Sequence, residues 1–301
     1  KKDQLKGQYV GGIIGYGQST ILSNCSTKKN GYILGDKYVG GIAGGFRGAI
    51  RADGEVQVTT NASYVIGNSY VGGIVGKNTE NVTIENCVNN GVAAGYDRYI
   101  GGITGYNDAT IADCASYLSD YNNSIFKMIV SAWKATGDYV GGITGYNNGR
   151  ITFSKASQKI TVKSVSSIVA GENYVGGIAG FNDVAGTLDV NYTLIGGKVY
   201  AYGDCAGGGF GFNASTEVLT KELTIKPTSV QGRYYVGGCI GANVVNLSKN
   251  LTMEYFRADN RLGSIVGEAF CGGIIGYQRT YTAKQFGTGA LLDEMDAQQS
   301  A

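Results

Sequence analysis

The sequence contains no histidine, and this absence excludes several kinds of chemistry. Without an imidazole there is no Ser-His-Asp triad, no Cys-His nucleophile pair and no His-ligated zinc site. Charge is also scarce, since only 16% of the 301 residues are Asp, Glu, Lys or Arg and the formal net charge is +2. A chain this close to neutral lacks the basic surface that binds a phosphate backbone, so we expect no nucleic acid partner.

Proline and long apolar runs are almost absent as well. Pro227 is the only proline, and the 50 glycines do not recur at every third position, which excludes a collagen-like helix. Hydrophobic residues make up 43% of the chain, too many for a disordered glycine-rich tail. Glycine, asparagine or a charged residue interrupts each apolar run, so we expect no direct membrane insertion. The chain begins at Lys1 without a methionine, and we expect it to be a mature piece or a segment of a longer protein.

One short phrase recurs through the chain and dominates it. The first copy reads Tyr-Val-Gly-Gly-Ile at residues 9–13, and the copies follow one another at intervals of 29 to 40 residues. Three glycines keep the same offsets in every copy and account for 27 of the 50 glycines; examples are Gly11, Gly12, Gly15, Gly101, Gly102 and Gly105. Isoleucine follows the glycine pair in seven copies, as at Ile103. The nine copies begin near residues 9, 38, 70, 99, 139, 174, 205, 235 and 270.

The repeat predicts the fold. Each unit reads as three short β-branched runs separated by Gly, Asn or Asp turns, without helical periodicity. Repeats of this size are typical of solenoids in which each repeat forms one coil. The sequence therefore predicts an all-β protein, a single-stranded parallel β-helix of about nine coils of ~30 residues each. We assign residues 1–277 to this repeat domain and residues 278–301 to a C-terminal cap or linker.

Residues that recur at the same offset in each copy predict columns of identical residues along such a stack. Isoleucine suits the interior, and the glycines mark tight corners or close approaches between layers. Asparagine tolerates a left-handed turn, and its amide can bond to the next amide along the axis. Which face the tyrosines occupy stays open, because strict alternation places Tyr9 and Ile13 on one face whereas a bulge at the glycine pair would separate them. The asparagine column consists of Asn78, Asn107, Asn147, Asn182, Asn213 and Asn243.

The phrase Tyr-Val-Gly-Gly-Ile-x-Gly-x-Asn resembles the GLUG-type repeat of bacterial cell-surface proteins. The resemblance covers residues 9–277 and implies a right-handed parallel β-solenoid. It further implies a non-catalytic stalk or display region of the kind found in adhesins and IgA-protease-like surface proteins, located outside the cell, at its surface or in its wall. Two copies depart from the pattern, one at Cys205 and Ala206 and one at Cys239, and we expect a looser coil there.

The longest interval between copies contains the candidate binding residues. Exposed aromatic side chains in this insertion would stack on sugar rings or anchor a protein partner. The alternative is that the segment forms the third strand of its coil, with its aromatic residues packed inward. Host glycans, host proteins and neighbouring copies of the chain are the expected partners, and no cofactor is expected. The candidates are Tyr117, Tyr121, Phe126 and Trp133.

Cysteines and turn acids allow two further interpretations each. The six cysteines contain no Cys-x-x-Cys motif, and we favour the interpretation that they are small buried hydrophobic residues over the alternative of a disulfide framework.

Acids that follow a glycine before several copies would form a calcium-binding ridge or simply complete turns. We favour turns and expect no metal, because one acid per coil rarely supplies the six to eight oxygens that calcium needs. These acids are Asp36, Asp138, Glu172, Asp204 and Glu268.

Taken together, these patterns favour a non-catalytic extracellular segment of a bacterial surface protein, a rigid stalk that displays binding loops. A first alternative is a subunit that assembles into surface fibres, since solenoid ends pair readily unless they are capped. A second is a β-helix polysaccharide lyase or glycoside hydrolase, which would need two or three carboxylates within about 6–10 Å in a groove.

Overall fold

The computed structural model describes residues 5–51, 58–79, 82–116, 137–152, 161–188, 192–217, 223–226, 229–246, 256–258 and 264–281. These residues form β-strands joined by short turns, and none of them lies in an α-helix. Among them there is accordingly no helix long and apolar enough to cross a membrane.

The strands are short and follow one another closely along the chain. The first eleven are β1 (Gln8–Gly11), β2 (Ile14–Leu22), β3 (Tyr32–Leu34), β4 (Lys37–Gly40), β5 (Ala43–Ile50), β6 (Thr59–Asn61), β7 (Tyr64–Gly72), β8 (Val75–Asn78), β9 (Thr83–Glu85), β10 (Cys87–Asn89) and β11 (Val92–Gly101). The next eleven are β12 (Thr104–Asn107), β13 (Thr110–Ala112), β14 (Ala115–Ser116), β15 (Asp138–Gly141), β16 (Thr144–Asn147), β17 (Arg150–Thr152), β18 (Thr161–Gly171), β19 (Val175–Gly176), β20 (Ala179–Asn182), β21 (Thr187–Leu188) and β22 (Tyr192–Ala201). The last ten are β23 (Ala206–Gly207), β24 (Phe210–Asn213), β25 (Leu223–Lys226), β26 (Ser229–Gln231), β27 (Tyr234–Gly237), β28 (Ile240–Asn246), β29 (Phe256–Ala258), β30 (Ser264–Val266), β31 (Ala269–Gly272) and β32 (Ile275–Tyr281).

The glycine phrase forms one parallel ladder, which we call the first ladder. Its strands stack in the order of the repeats, β1-β4-β7-β11-β15-β19-β23-β27-β31. The register pairs each phrase with the same residues of the next, as Val39 pairs with Val71 and Gly40 with Gly72. All neighbours in this ladder run parallel, which confirms the predicted all-β parallel solenoid. A repeat's contribution to this ladder is called a rung below.

A second ladder continues each coil beyond the glycine pair. It contains thirteen strands. Strand β5 is long enough to pair both with β8, which ends at the asparagine offset, and with β9, which follows that offset. The third side of the coil divides into two separate sheets. Three strands, β14-β10-β6, cover the early repeats, and six strands built around β22 cover the later ones. Three sides per coil are what three short runs per repeat predict.

The predicted coil count needs correction. The solenoid has about six turns rather than nine. The prediction counted copies of the glycine phrase, and all nine do supply a strand to the first ladder. The other sides are less complete among the described residues. The part of the second ladder that follows the asparagine offset, for example, runs through the first six repeats, in β2, β5, β9, β13, β17 and β21, is missing from the described residues of the seventh, and returns in β28 and β32.

Two columns of aliphatic side chains fill the interior. The valine of the phrase and the isoleucine after the glycine pair both point inward, so Val39 and Ile42 are fully buried. The carbonyl of Ile74 accepts from the backbone N–H groups of Ile42 and Ala43 at 2.9 and 3.0 Å, a contact that recurs from rung to rung. Ile103, selected from the sequence, is likewise fully buried. Stacked branched side chains give this core its regular spacing.

The corner of each phrase explains why valine and isoleucine can both face inward. The first residue of every copy has a left-handed backbone, with φ of 55° at Tyr9 and 61° at Tyr99. This turn lies outside the range that aromatic residues usually adopt, and it directs the tyrosine away from the aliphatic interior while the next valine points into it. The structure thus separates Tyr9 from Ile13 and places the left-handed residue at the tyrosine. None of the six column asparagines has a positive φ.

The glycine columns serve close approach between backbones. A Cβ on Gly101 would overlap the carbonyl oxygen of Thr104, and one on Gly102 would overlap the carbonyl oxygen of Gly142 in the next rung. A Cβ on Gly105 would lie 2.6 Å from the Tyr99 carbonyl oxygen. Gly11, Gly12 and Gly15 meet their own rung and the next in the same way. A methyl group cannot be accommodated against a fixed backbone oxygen, so these offsets admit only glycine.

Candidate functional surface

The aromatic insertion selected from the sequence lies outside the described residues. Tyr117, Tyr121, Phe126 and Trp133 all fall within residues 117–136, so their role as a binding site stays a prediction. The described residues contain three other arrangements of polar or aromatic side chains. These are a buried amide ladder, an aromatic ridge and a polar cleft.

The six column asparagines form one continuous ladder inside the solenoid. In each step the Nδ2 of one asparagine donates to the Oδ1 of the next, from Asn78 to Asn107 at 2.6 Å and from Asn107 to Asn147 at 2.7 Å. The series continues through Asn182, Asn213 and Asn243 at 2.7 to 2.8 Å and ends on the Oε1 of Gln278 at 2.6 Å. These asparagines are at most 1% exposed, so each amide depends on its neighbours for hydrogen bonds.

A second amide ladder runs along the early repeats, where the sequence offsets did not reveal it. Asn61 Nδ2 donates to Asn89 Oδ1 at 2.8 Å, and Thr27 and Ser116 extend the chain of bonds at its two ends. Each asparagine also closes its own turn, since the backbone N–H of Ser63 donates to Asn61 Oδ1 at 3.1 Å. The only signal in the sequence was an asparagine two residues before Ser63 and another two before Gly91.

The phrase tyrosines form the first column of an aromatic ridge along the outer corner. Their rings stack on one another with centroids 4.7 Å apart between Tyr9 and Tyr38 and 4.9 Å apart between Tyr139 and Tyr174. The spacing equals the distance between neighbouring strands, so the faces of the inner rings are covered by other rings. Edges and hydroxyl groups are what this column presents to solvent. Its members are Tyr9, Tyr38, Tyr70, Tyr99, Tyr139 and Tyr174.

A second aromatic column supports the first at right angles. Its rings stack in parallel, with 4.9 Å and 6° between Tyr106 and Tyr146. They meet the first column edge to face, as Tyr99 and Tyr106 do at 89°. Lysine replaces the aromatic residue at Lys77, whose Nζ lies 4.9 Å from the Tyr106 ring centre. The column consists of Tyr106, Tyr146, Phe181 and Phe212.

Packing changes the acidity of the ridge tyrosines. Burial, with the negative charge of Asp108 as a smaller cause, raises the pKa of Tyr106 to about 12. Burial also raises the pKa of Tyr139 to about 12, with Tyr99 adding to the effect. The pKa of Tyr146 is raised by burial and by the hydrogen bond that its hydroxyl donates to Asp183. In these three tyrosines the packing therefore favours the neutral hydroxyl over the phenolate.

The turn acids selected as possible calcium ligands bond to neighbouring turns. Asp138 Oδ1 accepts from the backbone N–H and the Nδ2 of Asn173, both at 3.1 Å. Asn173 Oδ1 in turn accepts from the backbone N–H of Asp204 at 2.8 Å. Burial raises the pKa of Asp138. No group of three or more metal-binding side chains occurs within the part of the chain that the structure describes. Glu172 and Glu268 lie on the same corner, and Glu268 lies beside Arg233 with 3.8 Å between Oε2 and Nε.

A polar cleft of about 360 Å³ opens beside the ridge at the second to fourth rungs. Asp36 Oδ1 accepts from Asn68 Nδ2 at 2.5 Å, and Asp97 Oδ2 accepts from Ser69 Oγ at 2.6 Å. Arg98 Nε lies 3.5 Å from Asp97 Oδ2, and both side chains are about half exposed. The full lining is Asp36, Lys37, Asn68, Ser69, Tyr70, Asp97 and Arg98.

The cysteines form no disulfide, and all six lie among the described residues. Four of them, Cys87, Cys114, Cys205 and Cys239, are buried, whereas Cys25 is half-buried and Cys271 exposed. The hydrogen bond with Cys114 and burial raise the pKa of the Cys87 thiol well above its usual value. A protonated buried thiol acts as a small apolar side chain, the interpretation favoured from the sequence.

Comparison with known proteins gives no relative for this chain. No family model matches it, no curated protein matches it, and no solved structure matches it.

Proposed function

We propose that the chain is a non-catalytic, rigid spacer in an extracellular bacterial surface protein, which holds binding loops at a fixed distance from the cell. The surface location is proposed from the resemblance of the phrase to GLUG-type repeats. The insertion that contains Trp133 is the segment that the spacer would display, with a host glycan or host protein as its partner.

The observation that carries this proposal is the unbroken amide ladder from Asn78 to Gln278. Each of its six hydrogen bonds measures 2.6 to 2.8 Å and joins two successive rungs. Bending the rod at any rung from the third to the ninth would lengthen at least one of these bonds away from water, where an unmade bond is costly. Such continuity suits a part whose task is to keep its length and shape.

Distance measurements between paired spin labels test the rigid spacer. Labels at Gln8→Cys and Glu268→Cys lie at opposite ends of the first ladder, eight steps and roughly 40 Å apart. The exposed Cys271 and half-buried Cys25 are first replaced by serine. We expect a single narrow distribution near 40 Å, which a matched pair at Lys37→Cys and Glu268→Cys shortens by one step. A broad distribution would rule out a rigid spacer.

Location is tested separately, because stiffness alone does not place the protein outside the cell. An antibody raised against the purified chain should label intact bacteria that carry the gene, without permeabilisation. Labelling that appears only after the envelope is opened would contradict the surface assignment. Sedimentation over a range of concentrations addresses the fibre alternative, which predicts growing assemblies, whereas the spacer predicts a constant size.

The cleft gives one specific observation in favour of the enzyme alternative. Asp36 and Asp97 belong to the second and fourth rungs, so their backbones are roughly 10 Å apart and their carboxylates face one groove. Inverting glycosidases place their two carboxyl groups about 6.5–9.5 Å apart, which backbones at this separation allow. Reducing-end assays on polysaccharides decide the matter. Turnover that Asp36→Asn or Asp97→Asn abolishes would replace the spacer proposal by a glycoside hydrolase.

A further inference from the structure

We propose that the polar cleft at the second to fourth rungs binds a neutral sugar unit through its hydroxyl groups. This site is distinct from the insertion at residues 117–136. It goes beyond the spacer role, because it concerns a fixed part of the rod's own surface.

The shape of the cleft follows from the register of the first ladder. Lys37, Ser69 and Arg98 occupy the same position in three successive rungs. Two long side chains therefore flank a short one, and Ser69 lines the cleft as a largely buried residue whose hydroxyl donates to Asp97. One additional residue in the fourth rung, between Gly95 and Arg98, produces a bulge that shifts the pairing with the third rung. Bulges commonly redirect side chains beside binding sites, and this one lies where Asp97 and Arg98 form the far wall.

Both walls offer the same chemistry to a ligand. Each has a carboxylate next to a cation, Asp36 with Lys37 on one side and Asp97 with Arg98 on the other. A sugar hydroxyl both donates and accepts, so two neighbouring hydroxyls can bond to a carboxylate and a cation at the same time. The lining carries two negative and two positive charges, which attract neither an anion nor a cation from a distance. A neutral polyhydroxylated ligand fits this balance.

The volume of the cleft and the packing of the Tyr70 ring indicate how a sugar would bind. About 360 Å³ lies within the range of small-molecule sites. Tyr70 borders the cleft, but its faces are covered by Tyr38 and Tyr99 with centroids 4.8 Å away on each side. Lys37 Nζ also lies 5.4 Å from the Tyr70 ring centre. The sugar would meet the edge of this ring, so hydrogen bonds rather than stacking dominate recognition.

Within the described residues the later rungs of this corner show what a closed version looks like. At the same register position, Asp138 accepts from the Asn173 side chain, and Asn173 accepts from the Asp204 backbone N–H, so successive rungs are joined by hydrogen bonds. Arg233 repeats the chemistry of one wall, since it lies beside Glu268 and 5.1 Å from the Tyr234 ring centre. It has no matching wall two rungs away. The pair Arg233 and Glu268 is therefore a natural control.

Saturation-transfer NMR on the purified chain tests the site. The probes are methyl glycosides of glucose, galactose, mannose and N-acetylglucosamine, with glucuronic acid and N-acetylneuraminic acid as charged comparisons. We expect transfer to at least one neutral glycoside. Arg98→Ala and Asp97→Ala should each weaken that binding by about tenfold, because each removes a charge-assisted hydrogen bond. Both side chains are about half exposed, so we expect these variants to fold.

The controls make failure visible. Arg233→Ala and Glu268→Ala remove an equivalent pair elsewhere on the corner and should leave binding unchanged. Absence of transfer to every neutral glycoside would overturn the proposal. Equal loss in the Arg233→Ala variant would overturn the assignment to the cleft, and stronger binding of the two acidic sugars would overturn the neutral class. The spin-label distances report on the spacer independently, so each proposal can fail alone.

Discussion

The amide ladder and the aromatic ridge follow the same axis with the same spacing, yet only the ridge is interrupted between its ends. From Asn78 to Asn243 every rung carries asparagine and the last carries Gln278, but the first two rungs have Gly17 and Phe46 at this offset, so the amide ladder begins at the third rung. The ridge is interrupted, by Gly45 and Lys77 in the second column and by Cys205 in the first. Hydrogen bonding rather than burial explains the contrast, since Phe181 and Phe212 of the ridge are also buried. A missing amide leaves two buried polar groups without partners, whereas a missing ring only uncovers the apolar faces of its neighbours.

The glycine corner supports both columns, and breaking it should have the largest effect. Gly102→Ala places a methyl group against the Gly142 carbonyl oxygen and the Ser116 side chain, so we expect the free energy of unfolding to fall by about 5 kcal/mol or more. Gly273 has the same position in the last phrase, where a Cβ would meet nothing within 4 Å. Gly273→Ala should change stability by less than about 0.5 kcal/mol. Chemical denaturation measures both, and equal effects would contradict the close-approach explanation.

Removing one amide should cost nearly as much. Asn147→Leu keeps the volume but leaves Asn107 Nδ2 and Asn182 Oδ1 without their bonds, and we expect a loss of about 4 kcal/mol. The next residue provides the control, because the Asn148 side chain bonds to Asp108 on the outside at 2.7 Å. Asn148→Ala should cost about 1 kcal/mol. A loss below about 1 kcal/mol for Asn147→Leu would show that the ladder is not what stiffens the rod.

The ridge should reveal itself through pH. Tyr106 and Tyr139 have a pKa near 12 when folded, against 10 for an ordinary tyrosine. Because the folded values are raised, their contribution to stability is complete below pH 10 and is lost as the pH rises towards 12. Absorbance at alkaline pH should show that these tyrosines ionise later than ordinary ones. The denaturant concentration at the unfolding midpoint should decrease as the pH is raised from about 10 to about 12. Tyr139→Phe should reduce that fall, and ionisation of all tyrosines near pH 10 would contradict the packing.

Completing the second aromatic column should have the smallest effect. Lys77 pairs with Tyr106 in register, so Lys77→Tyr would add a ring to the stack of Tyr106 and Tyr146. The new ring contact replaces the cation contacts of Lys77, and we expect a gain of about 0.5 kcal/mol or less. The melting temperature measures it. A fall in the free energy of unfolding greater than about 1 kcal/mol would mean that the lysine is required. It would contradict the conclusion that the ridge accepts either an aromatic or another residue at this position.

The sequence predicted the features that repeat at one offset. Parallel ladders, buried isoleucines and asparagines that meet along the axis all follow from identical residues in register. The direction of the tyrosines could not be predicted, because it depends on a left-handed backbone at Tyr9 and its equivalents that aromatic residues seldom adopt. The number of turns was wrong, because a phrase can join the first ladder without completing the other sides. Handedness stays a prediction.

Features that combine several rungs were also beyond the sequence. The second amide ladder contains Asn61 and Asn89, which lie nine and ten residues before their next phrase. The bulge after Gly95 produces that difference, and so the offsets do not match. The cleft depends on the same bulge and on a serine between two longer residues. Neither is visible within a single repeat.

The direction of the amide ladder gives the rod an electrical polarity. Every amide donates towards the later rung, and the backbone fixes this orientation, because Asn213 Oδ1 accepts from the Ser215 N–H while its Nδ2 donates to the Ser215 carbonyl. The side-chain dipoles therefore add up instead of cancelling. The end near Asn78 is the negative pole and the end near Gln278 the positive one. The ladder therefore has a defined direction along the axis of the solenoid as well as a length.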